Sequence, residues 1–153
     1  MTTSSFRNNT ASSKVIKSHL LGCDFNPPLE EYVENIDRYI EKIINNAERF
    51  ELWDDEKLIG FLACYANNLK TKEAFITMIS VLPEARGRGI ATKLLGNARE
   101  HCKNEGFKAL YLEVRVDNMG ALRLYHRLGY LEQKREDKVA VMKLELSNWA
   151  GKI

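Results

Sequence analysis

Acidic residues are missing from the first 23 positions, cysteines number only three, and no apolar run approaches the about 20 residues that a membrane-crossing helix needs. Each shortage excludes a class. Cys23, Cys64 and Cys102 are odd in number and far apart, with no CxxC pair and no histidine at ligand spacing, so neither a disulfide framework nor a metal site is expected. Cys64 and Cys102 sit in apolar patterns that predict packing roles. A reduced cytoplasmic location follows from this cysteine usage, and the absence of a hydrophobic leader core predicts neither secretion nor a membrane partner. Lysines and arginines never run beyond two in a row and the net charge is +2, which excludes a nucleic-acid partner. The polar, Ser/Thr-rich residues 1–13 are expected to be a loosely ordered leader, with a transit peptide as a second reading.

What is present is an ordinary globular composition, 44% hydrophobic and 29% charged over 153 residues, which predicts one domain over residues 14–150. Lys14 to Leu21 reads as a first strand. From Leu29 to Ala47, apolar residues recur every three or four positions, predicting one amphipathic helix whose Tyr32 and Tyr39 belong to the core. Phe50–Trp53 and Lys57–Asn67 read as a hairpin. A strand over Ala74–Leu82, a helix ending near Asn104 before Gly106, and a strand over Ala109–Val116 follow. A helix from Asn118 to Leu128 stops at Gly129, and a hairpin over 130–146 closes the chain. His101 and His126 fall on helix faces without a chemical partner in the pattern.

The stretch Ala74 to Leu95 organises the rest. A buried strand runs into Pro83, Gly87 and Gly89, and then a helix begins at Ile90. Strand, glycine turn and helix make an anion site, because the first helical amides lack partners, the helix dipole is positive there, and glycines admit close approach. Arg86 and Arg88 add charge. A P-loop would need Lys-Ser/Thr after the last glycine and the dinucleotide fingerprint would need GxGxxG; neither occurs.

The segment Arg86-Gly87-Arg88-Gly89-Ile90-Ala91, led by Val81-Leu82-Pro83, resembles motif A (R/Q-x-x-G-x-G/A) of the GCN5-related N-acetyltransferases. Asn118 to Tyr130, NMGALRLYHRLGY, resembles motif B of the same family at the expected distance. The resemblance implies an α/β fold, a mixed sheet of six or seven strands with about four helices on both faces, whose two central strands splay. It implies an N-acetyltransferase using acetyl-CoA as co-substrate, with no metal. Backbone from Gly87 to Thr92, including Ile90 and Ala91, would hold the diphosphate, screened by Arg86 and Arg88. The pantetheine arm would lie against Ile79, Ser80 and Val81. Asn118 would bind coenzyme while also capping its helix. Tyr125 would serve the departing thiolate, a task within reach of a phenol of reference pKa ~10.

Glu113, an acid within an apolar strand, stands in a segment, LEVRVDN, similar to that of ribosomal-protein N-terminal acetyltransferases, where the glutamate removes the amine proton. Its carboxylate would need burial or a relaying water to do so; the alternative is a structural pair with Arg115 or a lysine. The acceptor is expected to be a small-molecule amine, with a peptide N-terminus as the competing reading. The resemblance also places the helix from Leu29 beside the acceptor site, where Tyr32 or Tyr39 would line it instead of joining the core, and it allows a homodimer. A non-catalytic CoA-binding domain is the alternative from another class.

Overall fold

The computed structural model of the protein describes residues 3–146. In chain order it forms β1 (Ser4–Asn8), α1 (Ser13–Gly22), α2 (Ile36–Asn46), β2 (Glu48–Asp54), β3 (Lys57–Tyr65), β4 (Glu73–Val81), α3 (Ile90–Asn104), β5 (Ala109–Arg115), α4 (Met119–Arg127), β6 (Leu131–Glu136) and β7 (Val139–Glu145). The seven strands make one mixed sheet, as the resemblance implies, in the order β1-β2-β3-β4-β5-β7-β6. By its contacts the chain divides into two compact units, Met1–Cys64 with Met78–Ala98, and Tyr65–Thr77 with Arg99–Ile153. The end of the expected domain, 147–150, lies outside the described residues.

In the first unit, β1 pairs antiparallel with β2 from Ser4–Asp54 to Asn8–Phe50, and β2 pairs antiparallel with β3. The expected loose leader is therefore a strand from its fourth residue. The cause is Glu51, a fully buried carboxylate on β2. It accepts hydrogen bonds from Thr10 N (3.1 Å), Thr10 Oγ1 (2.6 Å), Ala11 N (3.0 Å) and Trp53 Nε1 (3.0 Å), so the polar leader supplies three of the four donors to this buried carboxyl.

Lys14 to Leu21 is helix, not strand. Ser12 Oγ caps α1 by accepting from Val15 N, and the buried residues Ile16, His19 and Leu20 recur at helical spacing. The β-branched Val15 and Ile16 suggest a strand, but cap and periodicity override that weak preference. The single helix expected from Leu29 is divided: a 3-10 turn covers Leu29–Glu31, and Asn35 Oδ1 caps α2 through Arg38 N at 3.0 Å. Tyr32, expected in the core, is 55% exposed beyond that turn. Ile40 and Ile43 of α2 join Ile16, Leu20, Phe50, Phe61, Leu62 and Leu94 in the core.

In the second unit, β4 and β5 run parallel from Glu73–Ala109 to Ile76–Leu112, whereas β4 itself continues to Val81 and β5 to Arg115. β7 lies antiparallel to β5 and carries the edge strand β6. Every residue of β6 is exposed, and its charged sequence, LEQKRE, discourages pairing with another chain.

Candidate functional site

The glycine turn of the first unit has the geometry of an anion cradle. Gly87 (φ 83°) and Gly89 (φ 72°) take up left-handed conformations that cost other residues about 1 kcal/mol or more, and a Cβ built on either meets nothing within 4 Å. The space is open on the side a side chain would fill. The first recorded intrahelical bond is Lys93 N to Gly89 O at 3.2 Å; among the described residues the amides from Gly87 to Thr92 have no acceptor. Arg86 and Arg88 are exposed, Arg88 reaching back to Glu84 O at 3.4 Å. These residues fit a diphosphate: unpaired donors, two cations and no obstructing side chain.

The cradle is fixed from below. A Cβ on Gly60 of β3 would lie 2.7 Å from Ile90 Cγ2 and 3.2 Å from Leu94 Cδ1, so the first turn of α3 rests directly on the backbone of β3. On β4, Met78 and Ser80 are buried while Ile79 and Val81 are half-buried. This is the pattern expected of a strand that offers one side to a ligand.

The second unit holds the other expected residues. Asn118 Oδ1 caps α4 by accepting from Ala121 N at 3.2 Å, while the residue itself stays exposed. Tyr125 is 6% exposed, and its ring meets Tyr130 edge-on at 5.7 Å. Burial alone pushes its phenol up to about 12, which keeps the hydroxyl protonated as a donor. Among the described residues nothing hydrogen-bonds that hydroxyl.

Glu113 lacks the burial that the sequence reading asks for; it is exposed on β5 opposite Val141. Nor does it pair with Arg115, whose guanidinium forks onto Asp117 (2.9 and 3.2 Å) and holds that carboxyl below its usual range. Tyr125 and Glu113 share no hydrogen bond. His126 is exposed, and Cys64 and Cys102 are buried, as expected.

The sequence reading missed His19. It is 4% exposed, with Nδ1 2.9 Å from Leu58 O and Nε2 2.8 Å from Ser80 Oγ. Its spacing of three from Ile16 marks the buried face, a signal legible only once α1 is read as a helix. Among the described residues no cluster of three His, Cys, Asp or Glu could hold a metal, and no helix is long and apolar enough to cross a membrane.

Residues 16–130 match the model of the Acetyltransferase (GNAT) family. N-alpha-acetyltransferase 30 of Schizosaccharomyces pombe is 36% identical over 88 residues, 56% of this chain and 59% of that protein, so the chain spans less than two thirds of that relative. An N-alpha-acetyltransferase of Sulfurisphaera tokodaii is 32% identical over 136 residues, 82% of this chain and 77% of its own. Among solved structures, a GNAT family acetyltransferase from Elizabethkingia anophelis with acetyl-CoA bound shares the fold, with a TM-score of 0.72 over 94% of this chain and 98% of that one at 19% identity.

Proposed function

The chain belongs to the GNAT acetyltransferase family, and from that premise we propose that it transfers the acetyl group of acetyl-CoA to a primary amine by direct attack in a ternary complex. The observation that carries this reading is the glycine turn, with two left-handed glycines, amides without acceptors and two flanking arginines. Residues Gly87 to Thr92 hold the diphosphate, Arg86 and Arg88 screen it, and Ile79, Ser80 and Val81 receive the pantetheine arm as a strand edge would. Asn118 contributes to coenzyme binding. When bound, acetyl-CoA supplies the activated thioester.

Tyr125 donates a hydrogen bond to the leaving thiolate. A phenol at about 12 is a weaker acid than the thiol being formed, so it stabilises the thiolate chiefly by hydrogen bonding in a dry setting. Glu113, exposed on β5, helps carry protons released in the reaction out to bulk water.

The acceptor best supported is the α-amine of a peptide, because two relatives from different lineages share the N-alpha-acetyltransferase name. A small polyamine is the second reading. It is favoured by residues 18–37, which carry Asp24, Glu30, Glu31, Glu34 and Asp37 and no lysine or arginine.

The deciding experiment is a panel of peptides and small amines assayed with acetyl-CoA by release of CoA thiol, beside calorimetric titration with CoA. Binding and turnover are expected from the wild-type protein. The Gly89→Glu variant should fold and lose CoA binding, because a carboxylate then occupies the cradle. CoA binding with no turnover on any amine would identify a non-catalytic coenzyme-binding domain instead.

A further inference from the structure

Ser80 is a hydroxyl on the buried face of β4, 6% exposed, between the buried Met78 and Leu82. A buried hydroxyl is costly unless it is bonded, and Ser80 meets His19 Nε2 at 2.8 Å. The opposite ring nitrogen, Nδ1, lies 2.9 Å from the carbonyl of Leu58. A carbonyl can only accept, so Nδ1 carries the proton. Burial pushes the His19 pKa down and keeps the ring neutral, which leaves Nε2 as an acceptor. The order of donors is thereby fixed: Ser80 Oγ–H donates to Nε2, and Nδ1–H donates to Leu58 O.

The surroundings complete the arrangement. Cys23 Sγ stands 3.6 Å from the same Nε2, half-buried just past the end of α1. Burial raises the Cys23 thiol, so it remains S–H and not a competing thiolate. The Phe61 ring of β3 lies 6.0 Å away. Of the charged and titratable groups nearby, Glu84 faces His19 and is itself paired with Lys57 at 2.8 Å, Arg86 and Glu84 face Cys23, and Tyr32 flanks Cys23. With its proton committed to a neutral, oriented imidazole and Cys23 also within hydrogen-bonding reach of it, the Ser80 oxygen keeps one lone pair for an incoming donor. That is the local design of a proton relay, and Ser80 belongs to the strand assigned to the coenzyme arm.

We propose that Ser80 and His19 deprotonate the acceptor amine, with Ser80 Oγ meeting the ammonium and His19 Nε2 storing the proton; this rests on reading the chain as an amine acetyltransferase. The ammonium gives one proton to Ser80 Oγ as Ser80 passes its own to Nε2. The amine lone pair then forms the C–N bond at the thioester carbonyl, the C–S bond breaks, and its electron pair leaves on the CoA sulfur. The second proton shed by the nitrogen goes through water to the thiolate. The imidazolium, held by Leu58 O, returns its proton to solvent past the half-buried Cys23.

The test follows kcat/KM against pH for an accepted amine, alongside nitrogen NMR of the His19 ring. In the wild-type protein the ring should report the Nδ1–H tautomer at neutral pH, and the acidic break in kcat/KM should coincide with its NMR titration. His19→Gln should lower kcat/KM by about 10²-fold and abolish that break, and Ser80→Ala should lower it at least tenfold and flatten the same break. Ser80→Thr, which keeps the hydroxyl, should restore most of the rate. Should His19→Gln fold poorly, the Ala and Thr pair at Ser80 decides alone. Variants that melt earlier yet keep wild-type rates and the acidic break would make this a structural staple and overturn the relay. A wild-type protein that binds CoA but acetylates no amine would overturn the acetyl-transfer reading, and the relay with it.

Discussion

Gly60 on β3 and Ile90 at the start of α3 are in van der Waals contact through the missing side chain of the glycine: a Cβ at position 60 would come 2.7 Å from Ile90 Cγ2. The start of α3, which follows the glycine turn, is therefore held in place by a residue outside the turn. Gly60→Ala should cost about 1–3 kcal/mol, as overpacking does. It should also weaken CoA binding by displacing the first turn of α3. Thermal melts and calorimetry on the same sample check this; a destabilised variant with wild-type CoA affinity would show that the turn tolerates displacement.

Tyr125→Phe removes one hydroxyl that no described group hydrogen-bonds, so stability should change little. If the phenol serves the thiolate, kcat should fall by roughly 10²-fold with CoA affinity nearly intact. A fully active Phe variant would return Tyr125 to a packing role against Tyr130.

Glu113→Gln tests how much the exposed carboxylate contributes. An acid that acts only through water, in full contact with solvent, should be worth less than about 10²-fold in kcat/KM at pH 7, and the deficit should shrink as pH rises and free amine accumulates. A loss larger than that of His19→Gln would make Glu113 the principal base.

Burial also gives His19 a signature in stability. Its folded pKa lies below the ordinary 6.5, so on acidification the unfolded chain binds a proton that the folded chain refuses, and stability falls as pH drops through about 6.5. Above that value the contribution is fully present. Urea midpoints from pH 7.5 to 5 should therefore fall more steeply for the wild-type chain than for His19→Gln, whatever their offset at neutral pH. Parallel lines would mean that His19 titrates alike in both states.

The strand, glycine turn and helix were legible in the sequence because their determinants are local. Glycines at 87 and 89, a two-residue alternation before them and a 3.6-residue period after them lie within one continuous stretch. Asn118 as a cap and Gly106 and Gly129 as left-handed stops were legible for the same reason. The N-terminal third was not. Residues 4–11 owe their order to a carboxylate some forty positions downstream, which no window on the leader can reveal. His19 went unnoticed because Val15 and Ile16 suggest a strand, and reading them so hides the helical face on which it sits. Glu113 sits on the expected strand, but its exposure depends on what covers that face of the sheet, which alternation does not specify.

The Glu51 clamp also bears on how the chain folds. Ser4 finds its partner at Asp54, and Thr10 and Ala11 find theirs at Glu51. Residues 4–11 thus have nothing to join until β2, some forty positions further along the chain, is in place. Before then, residues 4–11, which carry Phe6 and Arg7 and no acid, have no strand partner to pair with. Once Glu51 is in place, a single buried carboxyl gathers three of its four donors from Thr10 and Ala11, so one side chain on β2 decides where the segment ahead of α1 comes to rest.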